Sequence, residues 1–123
     1  MVTNAVLRTI LLVDDNLPTL ELYQRELGRA YRVLTCTDEV QAIEALRREV
    51  ICAVVLEPFA VGEAGCARLA AVVLVPSARP VPVLICSTQD RTIGLAMNED
   101  AWLIKPVLPP ALLAAIRRID RPA

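Results

Sequence analysis

The chain has no histidine and only one lysine, Lys105; the other basic residues are arginines. Without histidine, the commonest near-neutral general base and metal ligand is missing. The four cysteines, Cys36, Cys52, Cys66 and Cys86, form no Cys-x-x-Cys pair. A zinc site is therefore not expected. Each cysteine sits in an apolar segment, which points to buried free thiols in a reducing cytoplasm. Aromatics make up 3% of the residues and the net charge is −1. That balance excludes the basic, aromatic-bearing footprint of a nucleic-acid binder. No apolar run approaches the roughly 18 residues that span a bilayer. Met1 to Arg8 lacks the basic-then-apolar order of a secretion signal.

What is present is a large apolar fraction, 55% of 123 residues. The length suits one domain, residues 1–123, with a sizeable core. No linker, repeat or low-complexity stretch divides it. Apolar runs alternate with amphipathic stretches. Thr9 to Val13 reads as a strand, ended by Asp14 and Asp15. Pro18 opens a helical pattern with Leu20, Tyr23 and Leu27 on one side, and Gly28 stops it. Arg32 to Cys36 reads as the second strand. Asp38 and Gln41 form a capping-box pattern, followed by Val40, Ile43 and Leu46 at helical spacing. Ile51 to Leu56 is the apolar run of a central parallel strand. Gly62 and Gly65 mark a loop. Residues 66 to 75 are ambiguous: Val72 to Val75 favour strand by propensity, whereas the alternation demands a crossover helix. Val81 to Cys86 is the fourth strand, Thr88 to Asn98 a weak helix, and Ala101 to Ile104 the fifth strand. Pro109 and Pro110 open a last helix with Leu112, Ala115, Ile116 and Ile119 facing a core. Leu112 and Leu113 lie about 100° apart on that helix, so one of them is expected to be partly exposed.

This (βα)5 order predicts an α/β three-layer sandwich: a parallel sheet with helices on both faces. Sites in such sheets lie at the carboxyl ends of the strands. Asp14 and Asp15 end strand one, Glu57 strand three, Ser87 strand four and Lys105 strand five. Lysine is a compact point charge that reaches a single oxygen in a tight site, which singles out Lys105 in an arginine-rich chain.

Over its whole length the chain resembles the receiver domain of two-component response regulators. Leu11-Leu12-Val13-Asp14-Asp15-Asn16 is similar to the acidic magnesium-binding motif. Pro82-Val83-Leu84-Ile85-Cys86-Ser87 resembles the fourth strand with its switch hydroxyl. Trp102-Leu103-Ile104-Lys105-Pro106 resembles the fifth strand, with an aromatic three residues before the lysine. Gly65 falls eight residues after position 57, as in the family's loop. The resemblance implies a flavodoxin-like sheet of order 2-1-3-4-5. It implies a carboxylate nucleophile at position 57, Mg²⁺ held by Asp14, Asp15 and that carboxylate, and phosphate-sensing positions at Ser87, Trp102 and Lys105.

At position 57 the family has aspartate, and here Val54-Val55-Leu56-Glu57-Pro58 carries glutamate. One more methylene moves the carboxylate about 1.5 Å outward. In-line attack loses about 10²-fold from misplacement on that scale. The extra reach also lets Glu57 pair with Lys105. Thr88 stands where the family usually has alanine or glycine and narrows phosphoryl access. Pro58 holds Glu57 extended. The stretch from Ser87 to Lys105 is about one helical turn shorter than usual. The expected function is a pseudo-receiver: a signalling protein-interaction module, not an enzyme, whose Glu57 replaces a phosphoacceptor. It needs no cofactor, and Mg²⁺ is compatible as a weak ligand. The expected partner is a protein, a histidine kinase or another signalling protein. The expected surface is the fourth helix, fifth strand and fifth helix, which also offers a homodimer contact. The alternative is a Mg²⁺-dependent phosphoacceptor or phosphoryl-transfer domain using Glu57. A flavodoxin-like ligand binder is disfavoured, because no Gly- or Ser/Thr-rich phosphate loop follows strand one.

Overall fold

The computed structural model describes residues 6–74, 80–89 and 100–120. Their strands are β1 (Thr9–Val13), β2 (Arg32–Cys36), β3 (Ala53–Leu56), β4 (Val83–Ser87) and β5 (Ala101–Ile104). The helices are α1 (Leu17–Leu27), α2 (Glu39–Arg48), α3 (Gly62–Leu74) and α4 (Pro109–Ile119), with a 3-10 turn at Pro58–Ala60. The strands form one parallel sheet in the order β2-β1-β3-β4-β5. The fold class and strand order expected from the sequence are therefore found. The weak helix expected from Thr88 to Asn98 falls almost wholly outside the described residues.

Alternation along each strand splits the core in two. Ile10, Leu12, Val55, Leu84 and Cys86 face α1 and α4, packing with Leu20, Tyr23, Leu112 and Ile116. Leu11, Val13, Val54, Leu56 and Ile85 face α2 and α3, packing with Ala42, Cys66, Leu69 and Val73. Burial on both faces explains why β1, β3 and β4 read as continuous apolar runs. Cys36, Cys66 and Cys86 are buried free thiols and Cys52 is partly so.

Several sequence-based boundaries move. α1 begins one residue before Pro18 because Asn16 caps it, accepting from the Thr19 amide at 2.9 Å. Asp38 caps α2 through the Gln41 amide as expected, but Gln41 reaches back to the Thr37 amide rather than to Asp38. Val40 is exposed; Ala42 is the buried anchor of α2. Gly62 and Gly65 do not form a loop. Gly62, at φ +77°, starts α3, and Gly65 lies inside it. A Cβ at Gly65 would meet Val61 Cβ at 2.8 Å and Glu39 Oε1 at 3.1 Å, so the glycine lets α3 approach α2. Residues 66–74 are helix: the crossover requirement overrides the strand propensity of the valines. Leu113 is half-buried and packs on the first core, so α4 offers little of the apolar patch expected of it.

At the amino end of the sheet, Arg8 Nε donates to both Asp120 Oδ1 and Oδ2, its Nη2 donates to Oδ1, and Tyr31 donates to Oδ2 at 3.1 Å. This ties the end of α4 to β1 and to the turn before β2. Burial raises the Asp120 pKa, but the Arg8 and Tyr31 hydrogen bonds outweigh it and the net shift is downward. A carboxylate with a depressed folded pKa stabilises above its unfolded value and loses that contribution as pH falls through the folded one. Asp120→Asn should therefore cost about 1–2 kcal/mol near neutral pH, since Arg8 is half exposed and its charge is screened. Urea unfolding at pH 7 and near pH 2 checks this. The wild-type and variant midpoints should converge at the acidic end.

Candidate functional site

The sheet ladder runs one residue beyond β1, β3 and β5. The Asp14 amide donates to Cys36 O at 3.0 Å, the Glu57 amide to Val13 O at 2.8 Å, and the Lys105 amide to Ser87 O at 2.8 Å. These bonds fix the backbones from which the polar side chains project. Pro58 keeps Glu57 extended, at φ −90° and ψ 111°. Glu57 also caps the 3-10 turn, its Oε1 accepting from the Phe59 amide at 3.1 Å.

Lys105 is the hub. Its Nζ lies 2.7 Å from Asp14 Oδ2 and 3.4 Å from Glu57 Oε2. The sequence suggested Glu57 as its partner. Asp14 is nearer, and the ammonium bridges both carboxylates. Burial pulls the Lys105 pKa down, but the Asp14 hydrogen bond and the charges of both acids prevail, and it is raised. Glu57 Oε1 also accepts from the Ser87 hydroxyl at 3.2 Å, and Ser87 Oγ accepts from the Gln89 amide at 3.2 Å. The Gln89 carbonyl in turn accepts from Trp102 Nε1 at 2.8 Å. A hydrogen-bonded chain thus runs from Glu57 through Ser87 and Gln89 to Trp102. Trp102 itself is half-buried against the second core. Tyr23 donates to Val107 O at 2.7 Å and pins the segment after Lys105.

Asp14, Glu57 and Ser87 are buried, while Asp15 and Thr88 are exposed. The structure therefore joins Asp14, Glu57, Ser87 and Lys105 directly, links Trp102 through Gln89, and leaves Asp15 on the outer rim. Gln89 was missed from the sequence, because its backbone supplies the bonds and backbone roles leave no residue signal. The Asp14–Lys105 pair was legible in principle, since both residues end strands on the same pole.

Mg²⁺ demands near-octahedral oxygen coordination. The residues here do not offer it ready-made. Asp14 Oδ1 accepts from the Asn16 amide and Oδ2 from Lys105. Glu57 Oε1 serves Phe59 and Ser87. Among the described residues no group of three acidic or thiol side chains converges as a metal site. The buried side-chain nitrogen and oxygen atoms of the described residues all have partners within the chain. The small cavity behind Asp14 and Glu57 holds about 10 Å³, walled mostly by apolar side chains such as Leu12, Leu20 and Val55. That is room for a water molecule at most.

No family model matches the chain. Solved structures do. The Vibrio cholerae chemotaxis protein CheY4 is 23% identical with a TM-score of 0.80, covering 93% of this chain and 99% of its own. A CheY-like response regulator receiver domain from Methylobacillus flagellatus is 18% identical with a TM-score of 0.77, over 92% and 98% of the two chains. A response regulator protein from Burkholderia pseudomallei, with a phosphorylated aspartic acid, calcium ion and citrate, is 19% identical with a TM-score of 0.75. The match covers 89% of this chain and 66% of that one. The chain has the fold of CheY-like receiver domains. Among the described residues no helix is long and apolar enough to cross a membrane.

Proposed function

We propose that this chain is a response-regulator receiver domain that has given up phosphoryl transfer and works as a signalling protein-interaction module. One observation carries the reading: the Glu57 carboxylate is spent inside the protein. Its side chain is 7% exposed, with Oε2 facing Lys105 and Oε1 shared between Ser87 and Phe59. A carboxylate nucleophile must present a lone pair in line with a phosphodonor. Here the ammonium and hydroxyl that would greet a phosphoryl group already hold Glu57 itself. The side chain brings a negative charge, on a longer arm, toward the place where an acyl phosphate would put one. Ser87 and Trp102 are then held in one arrangement through Gln89 without modification.

Asp14 and Asp15 take up Mg²⁺ weakly in this reading, because Lys105 already neutralises Asp14. The partner is a signalling protein, a histidine kinase or a protein downstream of one, and the domain acts in the cytoplasm. Its docking face includes β5 and α4. With Leu113 turned largely inward, self-association through α4 rests on its charged residues rather than on an apolar patch.

Intact-mass measurement after incubation with a small phosphodonor and Mg²⁺ tests the proposal. No stable adduct of about 80 Da, one phosphoryl group, is expected. A stoichiometric adduct that disappears in Glu57→Gln would overturn it in favour of a working phosphoacceptor.

A further inference from the structure

Helices in this fold run antiparallel to the strands, so the two ends of the sheet collect different residues. The amino pole gathers the ends of the helices and the starts of the strands. Arg29 lies in the turn after α1, Arg32 starts β2, Arg47 and Arg48 end α2, and Arg117 and Arg118 end α4. Arg32 and Arg48 are paired with Glu49 and Glu44. Arg29, Arg47, Arg117 and Arg118 are exposed, with no ion pair among the described residues. Val50, two residues past the end of α2, is 94% exposed at the same pole.

The carboxyl pole is the opposite in charge. Asp15, Asp38 and Glu63 join the buried Asp14 and Glu57, with Lys105 the one cation among the described residues of the central rim. Exposed apolar side chains ring this acidic centre. Leu17 opens α1, Val40 lies in the first turn of α2, Phe59 in the 3-10 turn, and Leu108 precedes α4. Phe59 is 61% exposed and Leu108 74%. Arginines at helix ends also offset the helix dipoles, and that accounts for Arg47, Arg48, Arg117 and Arg118 singly. It does not account for large apolar groups exposed at both poles.

We infer that the carboxyl-pole rim of one copy docks on the amino pole of a second copy. The occupant is argued from complementarity. The rim offers acid with an apolar border, and the chain's other pole offers arginine with exposed Val50. Such a contact is heterologous: each copy keeps one free rim and one free pole, so assembly is open-ended rather than a closed dimer. Opposite charges steer the encounter and salt weakens it. The inference stands on the placement of surface residues and does not depend on whether Glu57 accepts a phosphoryl group.

Sedimentation velocity across a concentration series tests it. The wild type should grow past a dimer at low salt and return to monomer in about 0.5 M NaCl, where screening reaches a few ångströms. A rim variant (Leu17→Ser with Phe59→Ser) and a pole variant (Arg47→Ser with Val50→Ser) should each stay monomeric. All four positions are exposed, and thermal melting checks that both variants fold. Mixed in equal amounts, they should form a 1:1 complex that grows no further, since each retains the surface the other lacks. A wild type monomeric throughout overturns the inference. So does a closed dimer that survives in either variant, or a mixture that stays monomeric.

Discussion

Lys105→Met should cost the fold about 3 kcal/mol near neutral pH. The variant keeps the stem's volume and removes the ammonium between Asp14 and Glu57. Two buried carboxylates are then left facing each other without a cation. At about 4 Å and an effective dielectric near 20, each ion pair is worth roughly 4 kcal/mol before desolvation is subtracted. Lys105 is little exposed, so solvent screens the loss only in part. Urea midpoints measure the effect. Adding Asp14→Asn to Lys105→Met should recover part of the loss, because it removes one uncompensated charge. Millimolar Mg²⁺ should raise the midpoint of Lys105→Met more than that of the wild type, since the oxygens that Lys105 occupied become available. The pH dependence follows from the raised lysine pKa. The contribution of Lys105 is complete below its ordinary value of 10.5 and is lost as pH rises through the folded value. A loss below about 0.5 kcal/mol would mean that the ammonium lies in water and the tie is absent.

Glu57→Asp should gain chemistry. Removing one methylene retracts the carboxylate by about 1.5 Å and withdraws it from Lys105 and Ser87. Both groups are then free to meet phosphoryl oxygens. Labelling by a small phosphodonor with Mg²⁺ should proceed at least about 10²-fold faster than in the wild type. A time course of intact mass reads it directly, and acid-stable, base-labile mass would be assigned to residue 57 by peptide mapping. If Glu57→Asp stays unlabelled while Glu57→Asp with Thr88→Ala is labelled, crowding at Thr88 is the block. If neither is labelled, the length of residue 57 is not what silences the site, and the proposed reason for the loss of phosphoryl transfer fails.

Periodicity alone determined much of this protein. The runs Thr9–Val13, Arg32–Cys36 and Ala101–Ile104 are strands at the limits read from the sequence, and Leu112, Ala115, Ile116 and Ile119 are the buried face of α4. These features are local, because a strand buried on both faces must be apolar throughout and a helix shows its core at fixed spacing. Alternation of such runs implied a parallel sheet with helices on both faces, the strand order came only from the resemblance to receiver domains, and the carboxyl-end rule selected Asp14, Asp15, Glu57, Ser87 and Lys105. Tertiary structure decided what those residues do with one another. Lys105 and Asp14 are separated by most of the chain, and only the sheet brings their side chains to 2.7 Å. The same holds for the link from Glu57 to Trp102, which passes through the backbone of Gln89 and so leaves no trace in residue identity. The helix over Gly62–Leu74 was likewise a tertiary decision: its valines prefer a strand, and the right-handed crossover between parallel β3 and β4 needs a helix there. Local preference sets the elements, whereas partners distant in sequence are chosen by the geometry that the packed elements impose.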